Sequence, residues 1–443
     1  MQVRKFGGPR QFRQFEGDSH LDFPYRAHPF MNATEQYLEA QAASSEEVDV
    51  PMMVNYIIQD SLERGASDIH VEPWEDMTGV RVRVNGVLSW LVGIPKDFHE
   101  NICGRIKVMA NLASHVKDLP QDGKAAPPEF QGVQLRVSIF PTVYGEKIVC
   151  RIFNPDAKMF DISMLGFDDE TLVKFKEIVD KPTGLILLTG PTGSGKTTAI
   201  YAAIGFILDK QGNAVAVSSV EDPVEQNLDW VNQSNLNPVQ GYTYPAALRS
   251  LMRQDPEVIM VGEIRDEETA EIAINAAMTG HLVISTLHSG TTSGTFARLI
   301  NMDIEPFLLA STIIGVLGVR LLRLNCIHCT EPYTPEPYAL EQLRQHEGDQ
   351  YLQELISQDG FYRGKGCKGC GETGFGGRSS INELLICDED VRQAVMLKKP
   401  TREIQDIAVN NGMRVLWDGG LQMVVDRRTT LEEILKQVAA DQV

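Results

Sequence analysis

Leu185-Ile-Leu-Leu-Thr-Gly-Pro-Thr-Gly-Ser-Gly-Lys-Thr-Thr-Ala-Ile-Tyr-Ala-Ala-Ile204 is the stretch on which the reading of this chain turns. Leu185–Leu188 is a short, continuous apolar run without alternation, the pattern of a strand buried on both faces. The residues from Thr198 onward read as a helix. Between them Gly190, Pro191, Thr192, Gly193, Ser194, Gly195, Lys196 and Thr197 fit GxxxxGK[ST], with Thr198 following. Such glycines let backbone N–H groups close around phosphate oxygens at the positive end of a helix. Lys196 is then placed for the β and γ phosphates, and the Thr197 hydroxyl for Mg²⁺. A glycine-rich turn without a ligand is the bland alternative, and the strand before and helix after argue against it. The motif implies a bound nucleoside triphosphate.

Outward from this stretch the texture stays α/β. Ala214–Val220, Val258–Val261 and Leu282–Thr286 are further continuous apolar runs with helical stretches between them, which predicts a parallel sheet covered by helices. Val258–Val261 runs into Gly262-Glu263-Ile-Arg-Asp266. An acid closing a buried strand beside a P-loop is where a hydrolytic NTPase places its water-activating group. The residue before Glu263 is glycine, so the usual metal-binding aspartate is missing. Glu221-Asp-Pro-Val-Glu225, at the end of another strand, is the natural donor of carboxylate in its place. His281 and His288 bracket the apolar strand Leu282–Thr286 and are candidate γ-phosphate sensors, set against the ordinary reading of structural histidines.

Cys326-Ile-His-Cys329 and Cys367-Lys-Gly-Cys370 are two CxxC knuckles. Each presents two thiolates, and four thiolates suit a structural Zn²⁺. The segment between them is longer than in compact zinc ribbons, and His328 could replace one sulfur. Cys103, Cys150 and Cys387 read as buried, inert thiols. From Asp388 the chain reads helical to its end.

Toward the N-terminus, Val54, Ile57, Ile58 and Leu62 recur at helical spacing, and Gly65 can end that helix. Val80–Val84 alternates, meets Asn85-Gly86 and returns over Val87–Val92 as a hairpin. A helix near Asn101–Leu112 and strands over Val133–Phe140 and Glu146–Phe153 complete a small α+β domain. On those last strands Arg136 and Arg151 point away from the apolar set. Arg81 and Arg83 alternate similarly and are weaker candidates for the same role. Residues 1–50, basic and then acidic without sustained periodicity, read as a flexible tail in which Phe12, Phe15 and Phe30 are candidate anchors.

The chain has 443 residues, 41 basic and 60 acidic side chains, and a net charge of −19. That balance opposes attachment to nucleic acid or anionic lipid by bulk charge. Apolar residues at 43% are enough for real cores and exclude wholesale disorder. The longest uncharged apolar run, Pro306–Val319, falls short of the roughly 20 residues that span a membrane. No secretory signal is visible, so a soluble, cytoplasmic protein is expected.

These ordered elements resemble a known family, the secretion ATPases that power type II secretion and type IV pilus assembly. The resemblance runs from about Pro51 to the C-terminus and rests on Ala66-Ser-Asp-Ile-His-Val-Glu-Pro73, Leu119-Pro-Gln-Asp-Gly123, the P-loop, Glu221–Glu225, Leu248-Arg249 with Arg253-Gln-Asp-Pro256, Gly262–Asp266, Thr279-Gly-His-Leu-Val283, Ser285-Thr-Leu-His288 and both cysteine pairs. It implies a RecA-like ATPase domain over 168–443, including the zinc segment 326–370 and C-terminal helices 388–443. A PAS-like α+β domain over 51–155 would precede it, with a hinge linker over 156–167, the hinge lying near Asn154–Gly166 and including Pro155. It further implies a hexameric ring, peripheral to the inner membrane, that works on a membrane-embedded platform protein. Glu263 would be the main catalytic acid, with Glu225 and Glu221 placing metal and water. His281 and His288 would read nucleotide state, and Arg136 and Arg151 fall where the family carries arginine fingers. Paired cysteines mark the assembly or export branch, and Val319 stands where glutamine is common. The expected cofactors are ATP, Mg²⁺ and Zn²⁺. Competing readings are a retraction or conjugation-type motor, a RecA-like DNA-dependent ATPase, which would need a basic nucleic-acid track, and a non-hydrolysing scaffold.

Overall fold

The computed structural model describes residues 32–44, 47–153, 161–357 and 360–438. The chain divides into two compact units, Met1–Ala157 and Lys158–Val443. Phe12, Phe15, Phe30 and Pro155 lie outside the described residues.

In the first unit, β1 (Ala66–Pro73), β2 (Met77–Val84), β3 (Val87–Pro95), β4 (Gln121–Ala125), β5 (Gln134–Thr142) and β6 (Gly145–Phe153) form one antiparallel sheet, ordered β3-β2-β1-β6-β5-β4. Asn85 and Gly86, at φ 49° and 82°, make the hairpin turn between β2 and β3 that their sequence predicts. The helix Val50–Glu63 starts at Asp49, whose carboxylate accepts the Met52 N–H at 3.1 Å, and buries Met53, Val54, Ile57 and Ile58. The apolar positions of β5 and β6, Leu135, Val137, Ile139, Ile148 and Cys150, complete that core, while Arg136 and Arg151 are exposed on the other face.

The expected tail is corrected over residues 33–44, while residues 1–31 lie outside the described residues. Residues Ala33–Ser44 form a helix. Its start is tied down by the buried Asp60, which accepts the Ala33 and Thr34 N–H groups at 2.9 Å each, and Leu38 joins the core. Periodicity missed this helix because it is anchored by one carboxylate and a single large apolar residue rather than by a continuous stripe.

The second unit is built on β7 (Gly184–Thr189), β8 (Val217–Glu221), β9 (Val231–Asn235), β10 (Val258–Val261), β11 (Leu282–Leu287), β12 (Ile313–Asn325) and β15 (Phe375–Ile386). Their order is β15-β12-β7-β11-β10-β8-β9, parallel throughout except for the β12–β15 pair. Leu185 and Leu187 pack into one core, Ile186 and Leu188 into the other, so both faces of the central strand are covered. The apolar run Pro306–Val319 splits into the helix Pro306–Thr312 and the first half of β12. β13 (Thr330–Tyr333) and β14 (Phe361–Gly364) pair near the cysteine knuckles. Helices Glu389–Met396, Thr401–Asn410, Leu416–Val425 and Leu431–Val438 follow.

Of the expected linker 156–167, residues 156–160 lie outside the described residues, and the remainder is not free. The Leu165 carbonyl accepts the Asn382 side-chain amide at 2.8 Å and the Ser380 hydroxyl, and a Cβ on Gly166 would stand 2.6 Å from the Ser380 carbonyl. That end of the stretch is built onto β15.

Candidate nucleotide site and cysteine cluster

β7 delivers the chain to Gly190, and the helix Lys196–Gln211 leaves it. At Gly190, φ is 149° and an added Cβ would lie 2.5 Å from the Val319 carbonyl oxygen, so the loop passes too close to β12 for any side chain. Gly195, at φ 98°, turns the chain into the helix and leaves its first N–H groups facing the loop. Lys196 Nζ donates to the Gly190 and Pro191 carbonyls at 2.8 and 2.9 Å. Burial, then the nearby Arg320 cation, lower its pKa, while Glu263 and Glu225 act the other way. The Ser194 hydroxyl is buried without a partner in the described structure. An orphaned donor, a backbone cradle that excludes side chains and a lysine folded over it fit a triphosphate. Thr197, in the first turn of the helix, is the residue placed for Mg²⁺.

Because the strands are parallel, the ends of β8, β10 and β11 lie on the same edge as the P-loop. Glu263 follows β10 and is fixed there by its neighbours. The Ile264 N–H donates to the Thr286 carbonyl at 2.9 Å, and the Thr286 hydroxyl donates to the Gly262 carbonyl at 2.8 Å. Its carboxylate meets His288 Nε2 at 3.3 Å and pairs with Arg265. Gly262 has a reason of its own: a Cβ there would stand 2.5 Å from the Tyr244 hydroxyl. That crowding excludes an aspartate at this position.

Glu221 departs from expectation. It is 3% exposed, and both oxygens are taken: Tyr201 Oη and Ser219 Oγ donate at 2.5 Å, Gln233 Nε2 at 3.1 Å. With its lone pairs occupied it anchors the P-loop helix to β8 and β9, and the expected share in placing metal and water does not fit it. Glu225, on the same loop, is near enough for its charge to raise the Lys196 pKa.

The two histidines are separated by the strand they bracket. His288 joins Glu263, but His281 precedes β11, at the opposite edge of the sheet and roughly 20 Å away. Its Nδ1 lies 2.8 Å from the Ala276 carbonyl, the role of a structural histidine closing a helix. The structure does not bring it to the nucleotide site of its own unit.

In the first unit, register aligns Arg83, Asp68, Arg151, Arg136 and Lys124 in one row across five strands. Arg151 Nε pairs with Asp68 at 2.9 Å yet its side chain stays 57% exposed. Four cations with one carboxylate between them leave an electropositive line, since like charges directly opposite are unfavourable until an anion joins them.

Cys326, Cys329, Cys367 and Cys370 converge, with all four sulfurs within 4.8 Å of one another. The Cys326–Cys367, Cys329–Cys370 and Cys367–Cys370 separations are 3.9, 3.9 and 3.7 Å. Tetrahedral Zn–S bonds of about 2.3 Å require sulfurs about 3.8 Å apart, so the cluster fits one zinc ion. Burial raises the Cys370 thiol, but N–H donors from Cys367 and Gly374 at 3.2 and 3.3 Å bring it to about 7. With four protein ligands no position is left open for catalysis. Burial, chiefly, drives Cys103 and Cys150 to about 12 and Cys387 to about 11, as expected of inert thiols.

Two contributors escape sequence reasoning. Tyr201 is hidden in an ordinary helical stretch. Arg320 interrupts the long apolar strand β12 and is 1% exposed. A cation set among apolar residues on both sides was the available signal, because a buried charge requires built partners.

Fold and site together define a RecA-like P-loop ATPase domain. The model of the family described as Type II/IV secretion system protein matches residues 43–436, and the chain belongs to that family. It is 40% identical over 406 residues to the type IV pilus assembly ATPase PilB of Thermus thermophilus, covering 89% of this chain and 45% of that protein. It is 40% identical over 405 residues to the type II secretion system protein E of Xanthomonas campestris, covering 90% and 69%. The chain thus spans less than half of one relative and about two thirds of the other. Its fold is similar to the crystal structure of the pilus retraction motor PilT with bound ADP, at TM-score 0.59 and 24% identity, covering 88% of this chain and 97% of that one. Among the described residues no helix is long and apolar enough to cross a membrane.

Proposed function

We propose that this chain hydrolyses ATP as a subunit of a hexameric ring, and that the ring drives type IV pilus assembly or type II-like export through a platform protein of the inner membrane. The observation that carries this reading is the meeting of Lys196, Glu263 and His288 at one edge of a parallel sheet. Glu263 accepts a proton from the attacking water, and His288 and Arg265 hold its carboxylate in place. Lys196 leaves the Gly190 and Pro191 carbonyls for phosphate oxygens, while the backbone N–H groups of 190–196 and the Ser194 hydroxyl complete the cradle. Thr197 and Glu225 would hold Mg²⁺, which when bound would neutralise phosphate charge. Arg136 and Arg151 are the candidates for arginine fingers, groups worth about 10³–10⁵ in rate. The names of the relatives support the machine, and the cysteine cluster supports assembly or export over retraction.

The test is turnover by the purified chain, its sedimentation with and without nucleotide, and capture of partners from detergent-solubilised membranes. ATP hydrolysis, a nucleotide-stabilised hexamer and retention of an inner-membrane protein are expected. Absence of turnover, or stimulation by single-stranded DNA alone, contradicts the reading.

A further inference from the structure

We propose that Arg320 is a positioning residue of the nucleotide site, one that holds the loop after His288 against the floor of the P-loop, with the buried Glu383 fastening the far side of that same loop. This rests on the ATPase reading only for its kinetic consequence. The geometry stands apart from it.

Arg320 lies on β12, the neighbour of β7, with its guanidinium buried beneath the P-loop. Nη2 donates to the Gly290 carbonyl at 2.7 Å, and Nη1 to the Val319 carbonyl at 3.0 Å. A Cβ on Gly190 would lie 2.9 Å from Nη1, so the first P-loop glycine rests directly on this group. The second loop is tied in again one residue earlier. The Ser289 N–H donates to Thr189 Oγ1 at 3.1 Å, and the Thr189 hydroxyl donates to the Ser289 carbonyl at 2.7 Å. Thus the residues immediately before the P-loop and immediately after His288 share one set of fastenings, and the planar fork of an arginine reaches two carbonyls that a lysine's single ammonium cannot hold in the same way.

A buried carboxylate, Glu383, lies on the same face of the sheet. Gly318, two residues before Arg320 and so on the same face, opposes Glu383 on β15. Glu383 is 5% exposed; it accepts the Thr292 hydroxyl and, at 3.4 Å, the Leu416 N–H. Burial raises its pKa, and Thr292, Leu416 and Arg320 oppose that rise. Thr292 belongs to the loop that follows Gly290, and Leu416 begins the helix Leu416–Val425. Glu383 therefore joins the loop after Gly290 to the C-terminal helices. Burying a cation and a carboxylate costs free energy that packing alone would not require. A pair maintained there for shape could be replaced by apolar residues, whereas a fork that sets carbonyl positions could not.

The experiment compares wild type, Arg320→Lys and the double variant Arg320→Met/Glu383→Gln as full chains. Amide hydrogen exchange is followed by mass spectrometry, together with turnover and fluorescent-ATP affinity. Both variants should keep a cooperative thermal transition and exchange faster in two segments only, 189–196 and 288–292. kcat should fall about tenfold or more while the nucleotide Kd moves less than about threefold, because displacement of reacting groups costs rate before it costs binding. Unchanged exchange in both loops overturns the proposal whether or not the chain turns over ATP. So does restoration of wild-type kcat by the neutral double variant, which is the behaviour of a purely structural pair. If wild type itself shows no turnover, the ATPase reading fails and exchange alone decides the role of Arg320.

Discussion

Glu221 and Glu263 follow neighbouring parallel strands at one edge of the same sheet, and the chain treats them in opposite ways. Glu221 is sealed, its oxygens occupied by Tyr201, Ser219 and Gln233. Glu263 keeps 17% of its side chain exposed and meets His288 and Arg265, groups able to steer a carboxylate toward water. In sequence both are acids closing apolar strands. What separates them is the inventory of donors within reach, and that inventory comes from a helix and a strand distant in the chain.

The comparison can be broken most severely at Lys196, the lysine whose charge Glu263 supports. Lys196→Ala should remove a phosphate contact made as charge develops and lower turnover by about 10²–10³. A steady-state ATPase assay that finds less than tenfold loss would detach Lys196 from the chemistry. Glu221→Gln should act on the fold before the reaction. It replaces one of the two acceptor oxygens that three donors share by an N–H₂, so unfolding by denaturant should reveal a loss of about 1–3 kcal/mol, with kcat reduced less than about tenfold. If kcat instead falls as far as for Glu263 while stability is unchanged, the two acids share one task.

A region remote from both acids sharpens the contrast. Cys367→Ser with Cys370→Ser should abolish the single zinc measured by elemental analysis. The midpoint of thermal unfolding should drop by about 5 °C or more, since each kcal/mol is worth about 2–4 °C in a unit this size. ATP affinity should be retained, and a coupled loss of metal and nucleotide would place the cluster in the site. The smallest effect is expected at His281. Replacing it by alanine should lower turnover less than replacing His288, as placement at opposite edges of the sheet requires. Equal losses would contradict that placement's meaning.

Much of this was legible in the residues. The P-loop, four strands of the parallel sheet, the Asn85-Gly86 hairpin and the cysteine knuckles are carried by local patterns, and the structure places them as those patterns imply. What was not legible depends on long-range partners. β1 and β4 carry motif residues rather than simple alternation, β12 was masked by an apolar run that also contains a helix, and the helix Ala33–Ser44 depends on Asp60. His281 and His288 look equivalent beside their strand, but a strand has two ends, and only the parallel sheet decides which end faces the P-loop. Arg320 was visible as a letter and invisible as a fastening, because its acceptors are backbone carbonyls.

The claim at the centre is that Glu263 activates water in a triphosphate site built by Lys196. Single-turnover hydrolysis by Glu263→Gln, with fluorescent-ATP binding measured on the same preparation, addresses it most directly. Binding within about threefold of wild type and a hydrolysis step slowed about 10²-fold or more are predicted. Hydrolysis at the wild-type rate, with ATP bound as tightly, would contradict the account.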